Sequence, residues 1–354
     1  MINHAGKAGT EKYVLRLING FDSVRAKCFL CYGENGPLAD ELREKGTPTF
    51  CVNMKNPFDK KAARQIADIC RSNNIDVIHT QYPREMCLAV LSKKYFGGPK
   101  VVYTCHLTLR ASWWWRIMYR RVTPKTHAII SVCNKGKELL KGNGAAEEKI
   151  RVVFNGIVPS APKRSSVIRT ELGIGNEVFV ITTLARYHMA KGLDFLTDSV
   201  ARLKEITTLP FVVLYVGDGE LFGEIKERIE KKRLSDVIKQ LGFRTDAQQI
   251  LAESDLFVNS AKCYEALSFA ILEAMDNSLP IVATDVGGNS DIVSEQNDCG
   301  ILVPYGDVDA MARAMARIME DSGLRARYSK NARRTLVEVF GEDKMLDETY
   351  KTYL

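Results

Sequence analysis

Two glutamates, Glu265 and Glu273, have seven residues between them in the run SAKCYEALSFAILEAMDNSLPIVATDVGG (260–288). SFAILEAM reads as a helix. Glu273 then sits about a turn and a half inside it, and Glu265 in the loop that enters it. The small residues Ala266, Ser268 and Ala270 keep the first backbone N–H groups of that helix accessible, which suits a bound phosphate. A lone Glu pair at this spacing is also common on solvated helix surfaces, so it carries weight only in company. Arg186 and Lys191, in LARYHMAKG (184–192), fall at a strand end and in the following loop. Alone, they read as surface charge. His106 closes the strand VVYTCH (101–106) and His79 closes DVIHTQ. The plain reading of such a histidine is a strand-end side chain hydrogen-bonded to backbone, and His79 is the second, acceptor-side candidate. No group of His, Cys, Asp and Glu has metal-ligand spacing, so no metal is expected.

The elements around these residues alternate. Short apolar runs such as DVIHTQ, KVVYTCH, AIISVC, VFVITTLARY, PFVVLYVGDG, DLFVNSA and PIVATD are separated by amphipathic stretches such as DKKAARQIADICRS. Near-continuous apolar strands between helices predict parallel sheets covered on both faces. Two such series in 354 residues predict an α/β protein of two doubly wound domains. The break falls in FNGIVPSAPKRSSVIRTELGI, with a linker at about 158–168 marked by Pro159 and Pro162. Ligands in such sheets bind at the carboxyl ends of the strands, so the cleft between the domains is the expected site. One strand is short of residues: the loop NHAGKAG precedes a helix at Thr10 or Glu11, leaving only Met1 and Ile2 ahead of it. Either residues upstream complete this strand or the two form a stub.

Charge is unevenly shared. Residues 1–157 carry 26 Lys and Arg against 13 Asp and Glu, while the remainder carries 24 against 30. A basic half joined to an acidic half points to an anionic partner for the first. No apolar run reaches the ~20 residues of a membrane span, and the polar start MINHAGKAGTEKY lacks a secretory core, so a cytoplasmic protein is expected. The nine Cys are scattered. The one C-x-x-C, Cys28 and Cys31, lies in the strand-like VRAKCFLCY and has no second pair, so reduced structural cysteines are expected.

Residues 260–294 resemble the signature of glycosyltransferase family 4, the retaining nucleotide-sugar enzymes of GT-B fold. Further resemblances follow in chain order: GKAGTE (6–11), VVYTCH, FNGI (154–157), LARYHMAKG with Ala185 where the family usually has Gly, YVGDGEL (215–221), LGF (241–243), VATDVGG (282–288) and GILVPYGD (300–307). The resemblance implies two Rossmann-like domains: residues 1–160 on the acceptor side, 161–338 for the nucleotide sugar, and a last helix at 339–354 crossing back to the first. It also implies roles. Arg186, Lys191, Gly6, Gly9 and Ala270 would hold the donor diphosphate. Glu273, Gly242 and Phe243 would hold the nucleoside, with Glu273 on the ribose hydroxyls. Glu265 and His106 would face the donor sugar, Glu265 stabilising positive charge at the anomeric carbon. No cofactor is implied. The implied reaction moves a hexose-type sugar, from a UDP sugar first of all, to a glycan or lipid-linked acceptor. Retention requires either two inversions or a same-face displacement, and the family implies the latter. A nucleotide-sugar epimerase or hydrolase, or a silent binding protein of the same fold, are the competing readings. VGDGELFG imitates a dinucleotide fingerprint, but Gly223 comes one position late. No nucleic-acid recognition motif accompanies the basic half.

All three Trp stand together in ASWWWRIMYRR (111–121). With Ser112 as N-cap, a helix from Trp113 turns Trp114, Trp115, Met118, Tyr119 and Val122 to one face. Trp113 and Ile117 fall opposite, framed by Arg116, Arg120 and Arg121. This edge is expected to meet an anionic membrane, at the inner face of the cell membrane, near a lipid-linked acceptor.

Overall fold

The computed structural model describes every residue except 7–8, 22–24, 107–109, 161–165 and 264. Parts of the expected linker and of GKAGTE therefore lie outside the described residues. The chain divides into two units, Met1–Gly156 with Glu342–Leu354, and Ile157–Gly341. The changes of unit fall at 156/157 and 341/342 in place of 160/161 and 338/339. Ile157 explains the shift, because its N–H donates to the carbonyl of Phe340 at 3.1 Å and it bridges Gly341. Residues 157–160 are further tied to the second unit where the Ser160 N–H donates to Asp276 Oδ1 at 2.8 Å.

The first unit contains the parallel strands β1 (Ile2–His4), β2 (Leu30–Glu34) and β3 (Thr49–Cys51), and a second parallel set, β4 (Val77–Thr80), β5 (Lys100–Cys105), β6 (Ala128–Ser131) and β7 (Ile150–Val152). Its helices are α1 (Gly9–Gly20), α2 (Pro37–Glu44), α3 (Lys60–Ser72), α4 (Pro83–Ser92), α5 (Trp113–Val122) and α6 (Asn134–Gly142). Val101, Val102, Tyr103, Ile129 and Ile130 are buried, as strands covered on both faces require. The first strand takes in Asn3 and His4, which the sequence reading left to the loop, and pairs Ile2 with Tyr32 and His4 with Glu34. The Met1 amino group ahead of it donates to the His79 carbonyl of β4 at 2.5 Å, and the Asn3 N–H donates to Glu85 Oε1 of α4 at 2.8 Å. Cys28 precedes β2 and only Cys31 lies in it.

The second unit is one six-stranded parallel sheet in the order β10-β9-β8-β11-β12-β13. Its strands are β8 (Phe179–Leu184), β9 (Phe211–Val216), β10 (Ile238–Gly242), β11 (Leu256–Asn259), β12 (Ile281–Thr284) and β13 (Gly300–Val303). They alternate with α7 (Val167–Leu172), α8 (Leu193–Ile206), α9 (Phe222–Lys231), α10 (Ala247–Ala252), α11 (Phe269–Asp276), α12 (Asn289–Ile292), α13 (Val308–Glu320) and α14 (Ser322–Val339). Connections leaving β8 and β11, which are neighbours, run to opposite sides of the sheet. The gap beyond their carboxyl ends is the topological switch point where doubly wound sheets bind ligands.

The last helix, α15 (Glu342–Lys351), belongs to the first unit. Leu346 lies so near Gly20 of α1 that a Cβ there would meet its Cδ1 at 2.4 Å. Arg16 pairs with Glu342 at 3.1 Å, and Tyr353 reaches His79 Nδ1 at 2.7 Å.

Candidate active site at the switch point of the second unit

Arg186 and Lys191 follow β8, and Glu265, Ala270 and Glu273 follow β11, so all five lie beyond the carboxyl ends of two neighbouring strands. Lys191 Nζ donates to Glu265 Oε2 at 2.6 Å, and the Glu265 side chain is 9 % exposed. The lysine's loop is held from below, where Ser260 Oγ donates to the Lys191 carbonyl at 2.9 Å. Arg186 is open to solvent and approaches Glu220 Oε2 at 3.3 Å, while His188 Nε2 lies 3.6 Å from the other Glu220 oxygen. Ala270 is the second residue of α11 and Glu273 the fifth, half-buried. Ser268 occupies the N-cap of α11 without a side-chain cap bond, its hydroxyl accepting instead from Asn259 Nδ2 at 3.2 Å. Gly242 ends β10, two strands from β8, and Phe243 follows it. Gly242 has φ +67°, and Phe243 is 76 % exposed.

Two glycines shape these loops. Gly217 has φ +137°, and a Cβ there would lie 2.0 Å from the carbonyl oxygen of Ala185, the residue before Arg186. The imitation dinucleotide fingerprint is thus a seat for the arginine loop. Gly287 has φ +56°, and a Cβ there would lie 1.6 Å from the carbonyl oxygen of Glu265. The neighbouring Gly288 N–H donates to the Ala266 carbonyl at 2.7 Å. Beneath, buried Asn289 donates to Asn259 Oδ1 at 3.2 Å and to the Thr284 carbonyl at 3.0 Å. VATDVGG therefore acts by positioning Glu265. Sequence reasoning missed Glu220, Ser260 and Asn289. The Gly-Gly-Asn run was the one signal for the last, and nothing local marks the other two.

In the first unit, His106 Nε2 lies 2.8 Å from Gln81 Oε1, and its ring meets Tyr13 edge-on at 4.8 Å between centroids. Gln81 Oε1 can only accept, so Nε2 carries the proton. Burial pushes this imidazole down to about 3, so it is neutral throughout the physiological range. Both ring nitrogens of His79 are engaged, Nδ1 with Tyr353 and Nε2 with Thr104 Oγ1 at 2.6 Å, which makes it a strut between β4, β5 and the segment after α15. Gly6 is absent from the left-handed glycines among the described residues, and a Cβ on it would meet the His4 ring at 3.1 Å. Its part in the fold is close approach, not positive φ. Gly9 opens α1.

Helix α5 starts at Trp113 as expected, although Ser112 makes no side-chain cap. Tyr119 and Val122 are buried and Trp115 and Met118 half-buried, but Trp114, expected on the core face, is 38 % exposed. Its ring leans edge-on against Trp115 and Phe58 instead.

A GT-B glycosyltransferase is the class this fold and site define. Residues 165–335 match the family described as glycosyl transferases group 1, and residues 8–161 match Glycosyltransferase Family 4. The chain belongs to glycosyltransferase family 4. Among curated relatives, it is 29 % identical over 346 residues to the Escherichia coli UDP-Gal:alpha-D-GlcNAc-diphosphoundecaprenol alpha-1,3-galactosyltransferase, covering 91 % of this chain and 87 % of that one. It is 26 % identical over 319 residues to the Bacillus anthracis N-acetyl-alpha-D-glucosaminyl L-malate synthase, covering 86 % and 80 %. Among solved structures, Anabaena HepE in complex with UDP superposes with a TM-score of 0.87 at 20 % identity, covering 99 % of this chain and 97 % of that one. A Rickettsia africae glycosyltransferase also gives 0.87, at 21 % identity, covering 100 % and 96 %.

Proposed function

We propose that the protein is a retaining, metal-independent hexosyltransferase that uses a UDP sugar and a glycan or lipid-linked acceptor in cell-envelope polysaccharide synthesis, at the inner face of the cell membrane. The observation that carries this reading is the 2.6 Å Lys191–Glu265 pair beside Arg186 and the α11 N-terminus at the switch point. UDP is favoured as the nucleotide because HepE was solved with UDP and with UDP-glucose, and the E. coli relative is named for UDP-Gal.

The division of labour follows from charge. Arg186, Lys191 and the N–H groups around Ala270 meet the diphosphate and stabilise the charge it gains on leaving. Backbone at Gly6 and Gly9 adds donors to the same group. Glu273 accepts the ribose hydroxyls, and the turn at Gly242 and Phe243 receives the base. Glu265, held by Lys191, faces the sugar and stabilises positive charge at the anomeric carbon. Neutral His106 acts as a hydrogen-bond partner for a sugar hydroxyl, not as an acid. The anomeric carbon–phosphate oxygen bond breaks and the bond to the acceptor oxygen forms on the same face. The acceptor proton passes to the departing phosphate.

Turnover of a panel of UDP sugars, with and without a lipid or glycan acceptor, tests the reading. Release of UDP only with acceptor, undiminished by chelator, is expected. Acceptor-independent conversion would make it an epimerase or hydrolase, and tight donor binding without turnover a silent binding protein.

A further inference from the structure

The first unit carries an exposed apolar edge built from two separate segments. On α5, Trp113 is 73 % exposed, Trp114 38 % and Ile117 37 %. From the loop ahead of α3, Phe58 is 45 % exposed and meets Trp114 with ring centroids 5.9 Å apart. Trp115 and Met118 anchor the helix on the core around Tyr103, Tyr119 and Val122. Exposed apolar residues that occur singly are ordinary. A cluster of four large ones on a rigid base marks a contact surface.

The rim of this edge is cationic. Lys55, Lys60 and Lys61 flank Phe58, and Arg110, Arg116, Arg120 and Arg121 flank the Trp, all exposed. The single acidic residue within these two segments, Asp59, is occupied in capping α3 through the N–H groups of Lys61 and Ala62. Arg116 Nη2 donates to the Gly142 carbonyl at 3.2 Å, and the stem of Arg120 lies against Gly144. The arginines therefore splay to the side of the rings and do not cover them.

We propose that this edge docks the protein on an anionic lipid surface, with the Trp and Phe rings at headgroup level and the flanking cations against lipid phosphates, Lys55 being shared with Glu34 at 3.7 Å. A second copy of the chain is the poorer occupant, since two such rims face to face repel. Phe58 and its lysines come from a segment 55 residues before Trp113 in sequence and complete a patch that neither segment makes alone.

Sedimentation with vesicles of phosphatidylcholine alone, and of phosphatidylcholine with phosphatidylglycerol, tests it. Binding to the anionic vesicles alone is expected, weakening as salt rises. Arg120→Gln with Arg121→Gln should lower partitioning roughly 30-fold, from about 1 kcal/mol per basic residue near the surface. Phe58→Ser with Trp113→Ala should lower it while preserving the salt dependence and the melting midpoint. Equal binding to both vesicles, binding to neither, or unchanged binding of the variants overturns the proposal. So does a dimer in light scattering that the Phe58/Trp113 variant abolishes, or displacement of vesicles by a single-stranded oligonucleotide. The readout is sedimentation, so it succeeds or fails apart from the donor-site reading.

Discussion

Lys191 and Glu265 serve as each other's counterion before any substrate arrives, and that makes their removal unequal. Lys191→Ala leaves a nearly buried carboxylate without its cation, which costs about 1–3 kcal/mol. It also removes the proposed phosphate contact, so turnover should fall by orders of magnitude. Glu265→Gln keeps the shape and spares most of the stability while turnover falls. The double variant should lose less than the sum of the two in urea midpoints, and strict additivity would show that the pair is not coupled. His106 yields a pH test. Its pKa is lowered from 6.5 to about 3, so the unfolded chain binds a proton there that the folded one does not. Stability is then lost as pH falls below about 6.5. His106→Gln should flatten the midpoint-against-pH curve between about pH 6.5 and pH 4, where an unchanged slope counts against a buried neutral imidazole. The candidate site residues were legible because each lies within a short motif. Glu220 was not, because it meets Arg186 from 34 residues away and only the fold joins them.

At the scale of elements, the loops matter more than the helices they enter. Gly287→Ala would drive a Cβ into the Glu265 carbonyl, so the loop must shift. Activity should fall at least tenfold, with a smaller drop in melting midpoint. A variant of wild-type rate would show that the loop's placement is irrelevant. Glu85 of α4 gives the opposite sign. It is buried, its Oε2 has no hydrogen-bond partner, and burial raises its pKa above 4.5. Any stability owed to its neutral form is present below the unfolded pKa and lost as pH rises through the folded one. Glu85→Gln keeps an acceptor for the Asn3 N–H, so its stability relative to the parent should rise from about pH 4 to about pH 8, read as urea midpoints at the two pH values. Strand and helix types were readable from period and apolar runs. The first strand was misjudged because Asn3 and His4 are polar, yet β1 pairs through its backbone, which polarity does not report. Trp114 was assigned to the core from helical angle alone. The neighbour that draws it outward, Phe58, belongs to another segment.

At the scale of the molecule, two doubly wound units and a returning helix were readable from the alternation of elements and the family resemblance. The points of changeover were not, because they depend on Ile157 pairing with Phe340 and Gly341 across most of the second unit's sequence. Removing residues 342–354 should uncover Gly20 of α1 and strip His79 of its Tyr353 partner. Loss of buried Met345 and Leu346 alone is worth about 3–6 kcal/mol. The truncated protein should unfold in two steps, the first unit at markedly lower denaturant. A single unchanged transition would assign the helix no such role. The same arrangement sets a timetable for synthesis. The first unit emerges first but lacks the helix that covers α1 until its last thirteen residues, Glu342–Leu354, are made. Between them the ribosome must add the roughly 185 residues of the second unit, which takes on the order of 10–40 s. The unit begun second can therefore be complete first, while the α1 face of the first stays uncovered through that interval.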